Sequence, residues 1–258
     1  MANRVVPILM YHGIHDTPDD EGRFDPVYSI SRRQFEEQLR WLQENGYRTV
    51  TCAGLAGVEP DDKAVVITFD DGDRSNYTVS LDCLRGRGMT AEYFITTDWI
   101  GSEHYMNPEQ LRTLDRAGMS VQSHGKSHRY LSDLSDEELE EELRGSKQTL
   151  EGILGKPVEG LALPGGRGNG AVTRQAQEAG YRYLCTSRLG LNSLAELKPY
   201  ALKRIAVTRQ MELVLFQRLV RGDRWELGRR IARQRLLDGA KRLLGNRLYE
   251  RLRGGLVR

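Results

Sequence analysis

Apolar residues recur along this chain in two patterns that alternate with each other. Apolar runs without polar interruption are typical of strands covered on both faces, and apolar residues three or four positions apart are typical of amphipathic helices. The patterns predict eight strands, over Pro7–Tyr11, Tyr47–Thr51, Ala64–Phe69, Thr90–Thr96, Met119–Ser123, Glu159–Leu163, Tyr181–Thr186 and Ala201–Val207. They predict helices between them, from Ser31 to Asn45, Tyr77 to Arg87, Asn107 to Gly118, Ser135 to Leu154 and Ala171 to Ala179. This alternation favours parallel β–α units and the α/β class.

Residues with known helix-start preferences stand where three of these helices begin. Ser31 precedes a periodic segment with Gln34 three residues later, which predicts a capping box. Asn107 is followed by a proline, which favours the first position of a helix. Ser135 and Glu138 have the spacing of a second capping box.

The strand predicted over Ala64–Phe69 runs directly into two carboxylates and a glycine, Asp70-Asp71-Gly72. In α/β barrels the chemistry lies at the carboxyl ends of the strands. Two neighbouring carboxylates repel each other unless a cation binds or the pair divides into one ligand and one base. An ordinary strand followed by an Asp-Gly turn is the alternative.

Two histidines four positions apart, His124 and His128, follow another predicted strand. This spacing lets both imidazoles point the same way, and three protein ligands with an open position are typical of catalytic zinc. One aspartate and these histidines complete that set. Alternatively, His124 caps the strand and His128 is a surface residue. Because both motifs end strands of one barrel, we expect them on the same face, which favours a metal site.

The paired motifs, Thr68-Phe69-Asp70-Asp71-Gly72 and Ser123-His124 to His128, resemble the polysaccharide deacetylases, the NodB-homology or carbohydrate esterase 4 group. The resemblance runs from about Val6 to Val207. It implies a distorted (β/α) barrel of the NodB type. It also implies one divalent ion, zinc first and cobalt, nickel or iron as alternatives.

The same resemblance implies a role for each motif residue. Asp70 corresponds to the general base, and the metal ligands correspond to Asp71, His124 and His128. These residues would together hydrolyse an amide. The loop Pro164, Gly165 and Gly166 is predicted to bind substrate, because glycine lets a backbone N–H approach closely.

This chain departs from the family pattern in two places. Many members have Arg-x-Pro where this chain has Ala162, so the residue that pairs with Asp70 is unassigned. Arg167 is a candidate for that partner; alternatively, Arg167 is a solvated arginine in a loop. The late Leu-x-His motif is absent, but His12 resembles the chain start of a circularly permuted branch and would serve as general acid. A core histidine bonded to the backbone is the alternative. His15 and His104 lie in polar loops, and we expect no chemistry from them.

Composition adds expectations about the state of the cysteines and the location of the protein. The chain has 258 residues, 39% of them hydrophobic and 29% charged, with a net charge of +2. Three distant cysteines without a CxxC motif indicate reduced, buried thiols. No signal-peptide core or membrane-spanning stretch is found, so we expect a cytoplasmic protein, free or peripheral at the inner membrane face.

The carboxyl-terminal segment differs from the rest. Residues 224–258 contain 11 lysines and arginines and 3 acidic residues among regularly spaced leucines, a local charge of +8. We therefore divide the chain into a barrel domain, 1–222, and a basic amphipathic helical tail, 223–258. The tail would bind an anionic membrane surface, or pack on the barrel with solvated arginines. Nucleic acid is not expected, because no aromatic platform accompanies the charge.

These inferences together predict a metal-dependent hydrolase that removes N-acetyl groups from an amino sugar, in a polysaccharide or its lipid-linked precursor. The carbohydrate is therefore the expected partner. The same residues would also suit a deformylase acting on a lipid-linked amino sugar. A non-catalytic glycan- or membrane-binding module is the alternative from another class.

Overall fold

The computed structural model describes residues 5–59 and 62–233. In that part of the chain, ten strands β1 to β10 run over Val5–Val6, Ile8–Tyr11, Arg48–Thr49, Ala64–Phe69, Glu92–Ile95, Ser120–Ser123, Gly160–Ala162, Tyr183–Cys185, Asn192–Ser193 and Ile205–Ala206. Seven α-helices, α1 to α7, run over Arg32–Glu44, Leu81–Arg85, Pro108–Arg116, Asp136–Glu140, Ser146–Leu154, Gly170–Glu178 and Leu213–Val220, and a further helix covers residues 224–233.

Seven strands pair in parallel in the order β10, β2, β4, β5, β6, β7, β8. Leu202, three residues before β10, forms a parallel bridge to Cys185 of β8. In β10 itself, Ile205 pairs with Leu9 of β2. One short segment thus contacts both ends of the sheet and closes it, which confirms the predicted (β/α) barrel.

The remaining strands lie outside this ring. β3 pairs only with the first half of β4, where Arg48 lies opposite Ala64. β1 and β9 form a separate antiparallel pair, with Val5 opposite Ser193. The sequence did not predict β1, β9 or α7, because such short strands and an apolar helix without a capping side chain carry little local signal.

Two of the three predicted helix starts are confirmed in full. Asn107 and Ser135 each form a reciprocal capping box. Ser31 caps α1 by accepting the N–H of Gln34, but the Gln34 side chain does not return the bond. Its amide donates instead to the carbonyls of Thr208 and Met211, at 3.0 and 3.1 Å. The capping-box prediction for α1 is therefore half wrong, because a tertiary partner takes the amide.

Alternation along the strands produces two apolar layers. Inward-facing residues such as Ile8, Val66 and Phe94 form a small cluster inside the barrel. Their outward-facing neighbours join the helices in the larger core. The barrel interior also holds two fully buried charged side chains, Glu92 and Arg204. Buried charge needs a partner, and both residues have one, as described below.

The three cysteines are free and buried, as predicted. Residues 224–233 are helical, and Leu227 and Ile231 pack against the larger core. For that part of the predicted tail the structure shows a helix packed on the barrel; residues 234–258 lie outside the described residues. None of the helices in the described ranges is long and apolar enough to cross a membrane.

Candidate active site

Three predicted site residues continue the inward-facing series at the carboxyl ends of their strands. Side chains alternate along a strand. His12 lies four positions after Ile8 and Asp70 four after Val66, both members of the inner cluster. His124 follows β6 directly. The carboxyl ends of parallel strands meet at one end of a barrel, so the three side chains converge there.

The structure brings the three predicted metal ligands together. Asp71, His124 and His128 each offer one ligand atom, and these atoms lie within 4.8 Å of one another. The distance from Asp71 Oδ1 is 3.4 Å to His124 Nε2 and 3.3 Å to His128 Nε2. The grouping predicted from two separate motifs is thus present in space.

Two of these ligands sit in a strained backbone. Among the described residues, Asp71 and His128 are the non-glycine residues with positive φ, 76° and 63°. That conformation costs a non-glycine residue about 1–3 kcal/mol and persists only where the surroundings impose it. Both strained positions belong to the same site, so the fold holds these side chains in place against local preference.

The atoms of the site fit a divalent cation. Asp71 Oδ1 is buried and makes no hydrogen bond of good geometry. His124 Nδ1 lies 2.8 Å from the carbonyl oxygen of Ala162. Because a carbonyl oxygen only accepts, Nδ1 carries the proton there, and in the neutral imidazole Nε2 is then unprotonated and free to ligate. Two imidazoles and one carboxylate form a donor set typical of zinc and its neighbours.

The local charges favour a cation at this point. Burial by itself would raise the pKa of Asp71, but the imidazoles of His124 and His128 outweigh burial and hold that pKa well below its ordinary value. Burial would lower the pKa of His124, but Asp70 and then Asp71 raise it above its ordinary value. Both shifts show that the carboxylates stabilise positive charge at the ligand atoms.

Asp70 has a partner that sequence analysis did not find. Both terminal guanidinium nitrogens of the fully buried Arg204 donate to it, at 2.6 Å to Oδ1 and 2.7 Å to Oδ2. Arg204 also donates to Thr68 Oγ1 and to the carbonyl of Thr186. Arg167, the candidate considered from sequence, lies instead 4.0 Å above the ring of Tyr130.

A signal for Arg204 was present in the sequence. It stands inside the strand predicted over Ala201–Val207, next to the apolar Ile205. An arginine at an inward position of a barrel strand must meet a carboxylate or leave a buried charge unpaired. Only closure of the barrel decides that this carboxylate is Asp70, 134 positions away.

This ion pair determines the charge of Asp70. Burial alone would raise its pKa, but the attraction of Arg204, followed by that of His124, outweighs burial and leaves the pKa of Asp70 below its ordinary value. Asp70 Oδ2 lies 4.0 Å from His124 Nε2. Asp70 is therefore an ionised carboxylate beside the ligand group and outside it.

His12 is held by stacking. Its ring lies 4.6 Å from that of Tyr28, with 28° between the planes, and its Nδ1 is buried without a hydrogen bond. Asn76 donates to the backbone carbonyl of His12, at 2.6 Å, and not to the ring. The ring is thus positioned at the barrel end without a backbone bond at Nδ1.

The two histidines expected to be inert differ from each other. His104 is exposed in its loop. His15 is completely buried, which the sequence did not predict; its Nδ1 lies 2.9 Å from Ser29 Oγ and its Nε2 lies 3.3 Å from Asp73 Oδ1. Arg23 N–H also donates to Asp73, at 2.6 Å. The Arg23 hydrogen bond to Asp73 therefore joins the loop before α1 to the residue that follows the Asp70-Asp71-Gly72 turn.

The predicted substrate loop lies between β7 and α6. Pro164 is buried, and Gly165 and Gly166 adopt positive φ of 60° and 69°. A Cβ atom on Gly165 would lie 2.5 Å from the ring of Tyr130. An aromatic side chain from the neighbouring loop therefore fills the space that a residue larger than glycine would need.

Comparison with known proteins identifies relatives of this chain. The sequence profile of the family described as Polysaccharide deacetylase matches residues 57–184. YxkH of Bacillus subtilis strain 168, provisionally described as a polysaccharide deacetylase, is 30% identical over 211 residues, 80% of this chain and 72% of that protein. The poly-beta-1,6-N-acetyl-D-glucosamine N-deacetylase of Escherichia coli K12 is 34% identical over 97 residues, 36% of this chain and 14% of that protein.

A solved structure supports the same assignment. The Streptococcus pyogenes deacetylase PplD in complex with acetate superposes with a TM-score of 0.76 at 26% identity, over 85% of this chain and 99% of that one. Fold and site thus define a barrel hydrolase of the NodB-homology, carbohydrate esterase 4 class. The chain belongs to the polysaccharide deacetylase family. The matched profile includes the aspartates and both ligand histidines but neither His12 nor Arg204.

Proposed function

We propose that this chain removes N-acetyl groups by hydrolysis from an amino sugar, in a polysaccharide or in its lipid-linked precursor. The observation that carries the proposal is the different surroundings of two adjacent carboxylates. Asp71 faces two imidazoles, whereas Asp70 is bound through both oxygens by Arg204. Asp71 can therefore bind a metal ion, and Asp70 can accept a proton.

Asp71, His124 and His128 would hold one divalent ion, zinc first and cobalt, nickel or iron as alternatives. When bound, the ion supplies a Lewis acid that makes water more acidic and polarises the amide carbonyl. Asp70 then accepts the proton of the attacking water, because Arg204 keeps its carboxylate ionised. The buried position of this ion pair fixes the base in one orientation.

Breaking the C–N bond also requires a proton on the leaving amine. We assign that donation to His12, which lies at the same end of the barrel and whose ring Tyr28 holds by stacking. The loop Pro164–Gly166 would supply a backbone N–H to the oxygen that becomes negative. Tyr130 and Arg167, packed beside Gly165, would border the sugar.

The acyl group and the sugar are part of the proposal. The name of the Escherichia coli relative favours N-acetylglucosamine in a β-1,6-linked polymer. A deformylase would use the same base, acid and ligands on a smaller acyl group. The missing family arginine, at the position of Ala162, was the argument for a non-catalytic module. Arg204 weakens that argument, because it binds both oxygens of Asp70 and so supplies the base with a positively charged partner.

The direct test measures acetate and formate released from N-acylated glucosamine oligomers by zinc-loaded protein, before and after chelation. We expect acetate release that chelation abolishes and zinc restores. Asp70→Asn should retain zinc and lower turnover by about 10²–10⁴-fold, whereas Asp71→Asn should lose zinc affinity. His12→Ala should reduce amide hydrolysis more than hydrolysis of an activated ester, whose leaving group needs no proton.

The control variant is Asp98→Asn. Asp98 is an exposed aspartate shortly after β5, so this variant tests the loss of one negative charge from the same end of the barrel. Because Asp70→Asn leaves Arg204 without its counter-charge, thermal unfolding is recorded for every variant. If the zinc-loaded wild type binds the glucosamine oligomers but releases neither acetate nor formate, the non-catalytic module is favoured and the proposal is wrong.

We also propose that the basic carboxyl-terminal segment contacts an anionic membrane surface. The observation in its favour is Trp225, 69% exposed at the start of the 224–233 helix, with the guanidinium of Arg229 5.5 Å from its ring. An exposed tryptophan beside arginines is typical of interfacial helices. Sedimentation of the chain with anionic liposomes tests this proposal.

A further inference from the structure

The loop between the two ligand histidines has a backbone that does not form by local preference alone. Gly125 adopts φ of 80° and His128, a non-glycine residue, φ of 63°. A positive φ at His128 is costly unless neighbouring groups impose it. The groups that impose it are therefore part of the metal centre.

One buried carboxylate binds the amide groups of this loop. Glu142 is 4% exposed, and its Oε2 accepts the N–H of Lys126 at 2.7 Å and that of Ser127 at 3.0 Å. Its other oxygen accepts the Ser127 hydroxyl. Hydrogen bonds to an ionised acceptor are about twice as strong as neutral ones. Three donors from one short loop thus converge on a single side chain.

The helix that carries Glu142 is locally widened. Glu142 lies in the π-helical turn Glu141–Gly145, between α4 and α5. Such single π turns occur frequently at functional sites. The sequence predicted one regular helix from Ser135 to Leu154 and did not predict this π turn. It is the point from which Glu142 reaches the loop.

The carbonyl groups of the loop are held from the opposite side. Thr97 N–H donates to the carbonyl of Gly125 at 3.2 Å, and Asp98 N–H donates to that of Lys126 at 2.9 Å. A Cβ atom on Gly125 would lie 3.3 Å from Glu142 Oε2, so the loop fits closely against the carboxylate. Hydrogen bonds to the N–H groups of the loop and to its carbonyl groups therefore restrain the loop in this conformation.

We propose that Glu142 is a positioning residue of the metal centre: it fixes the loop Gly125–Ser127 and thereby the distance between His124 and His128. The inference rests on the proposed metal site and adds a residue that touches neither metal nor substrate. Groups that orient metal ligands usually contribute about 10–100-fold in metal affinity. We therefore assign that contribution to Glu142.

A second buried glutamate provides the matched control. Glu92 is fully buried at the first residue of β5, and its carboxylate also accepts three hydrogen bonds. The donors are Tyr183 OH at 2.6 Å, Cys52 N–H at 2.9 Å and Ser120 Oγ at 3.2 Å. It lies at the opposite end of the strand from the ligands. Replacing it therefore tests burial and hydrogen bonding without touching the metal loop.

The experiment measures zinc affinity of the apo-protein by competition with a chromophoric chelator, together with thermal unfolding without metal. We expect about 100-fold weaker zinc binding for Glu142→Ala and about tenfold for Glu142→Gln, which keeps the shape and loses the charge. Glu92→Gln should lower the unfolding temperature and leave zinc affinity within about twofold of wild type.

The outcomes separate the two proposals. Wild-type zinc affinity in Glu142→Gln, or an equal loss in Glu92→Gln, overturns the inference while the metal centre stands. If Glu142→Ala does not fold, the pair of glutamine variants decides the question. A wild-type protein that binds no zinc overturns the proposed metal centre, and this inference with it.

Discussion

At the scale of single residues, Arg204 decides how two neighbouring aspartates differ. Without a counter-charge, burial would raise the pKa of Asp70 and favour the neutral form, which cannot serve as a base. With both terminal guanidinium nitrogens bound to it, its pKa lies below the ordinary value and the carboxylate is ionised. Asp71, one position later, has no such partner and faces the imidazoles. The ion pair therefore supports our proposal that Asp70 is the base.

Arg204→Met should reveal this role through stability and pH dependence. Removing one partner of a buried ion pair costs about 3–5 kcal/mol, so the unfolding temperature should fall markedly. Because the folded-state pKa of Asp70 is lowered, the pair stabilises the protein above the ordinary aspartate pKa of about 3.9, and this stability is lost as the pH falls further. In the variant the pKa of Asp70 should rise, and the acidic limb of kcat/KM should move to higher pH.

Arg204→Lys is the companion variant, since it keeps a positive charge but cannot bind both carboxylate oxygens in the same fork. We expect it to lie between wild type and Arg204→Met in unfolding temperature and in the position of the acidic limb. Identical pH profiles for all three proteins would contradict a role of Arg204 in the ionisation of Asp70.

At the scale of elements, the segment between β2 and α1 carries Tyr28 over His12. Arg209, beyond β10, holds this segment by donating to three carbonyls: to His15 at 2.9 Å, to Ser29 at 3.0 Å and to Asp16 at 2.8 Å. Its guanidinium also lies 5.2 Å from the ring of Phe24. The last part of the barrel thus fixes the first loop, and through it the stacking partner of His12.

Arg209→Ala should loosen this loop. An unsatisfied buried group costs about 1–3 kcal/mol, and each 1.4 kcal/mol changes an opening equilibrium tenfold. Exchange of the His15 and Ile30 amide hydrogens, which bond Ile30 O and Gly13 O, should therefore accelerate about 10–100-fold. Arg221→Ala, which removes an arginine stacked on Trp41 far from this loop, is the control. Unchanged exchange at both amides would show that Arg209 does not hold the loop.

At the scale of the whole molecule, the carboxyl-terminal helix touches the barrel with one face and solvent with the other. Leu227 is 8% exposed, whereas Trp225 is 69% exposed. Glu226, 2% exposed, accepts hydrogen bonds from Arg229 and Arg230. The described part of the tail therefore has a packed role that is separable from any role at a membrane.

Two variants separate these roles. Leu227→Ala should destabilise the protein by about 2–4 kcal/mol, because it removes a buried leucine, and should not change sedimentation with anionic liposomes. Trp225→Ala should keep the unfolding temperature and reduce sedimentation, most clearly at low salt. A wild-type chain that does not sediment with anionic liposomes would end the membrane proposal and leave the packed helix.

Much of the site was predictable because its signals are local. An uninterrupted apolar run shows where a buried strand lies and where it ends, so Asp70, Asp71 and His124 could be placed at strand ends from the sequence. His128 follows from its spacing to His124. The helix starts at Asn107 and Ser135 were also predictable, because a capping box needs only residues three apart.

The sequence by itself determined most of the strands and helices, the candidate ligand set and which end of the barrel carries the candidate site. The tertiary structure alone decided the partners: Arg204 for Asp70, Glu142 for the ligand loop, Tyr28 for His12 and the Gln34 amide for Thr208 and Met211. The physical reason is range. Apolar runs and capping act between neighbours along the chain. Arg204 and the carbonyls bound by the Gln34 amide reach their partners only when the barrel closes between β8, β10 and β2, whereas Tyr28 and Glu142 reach theirs when the loops and helices pack.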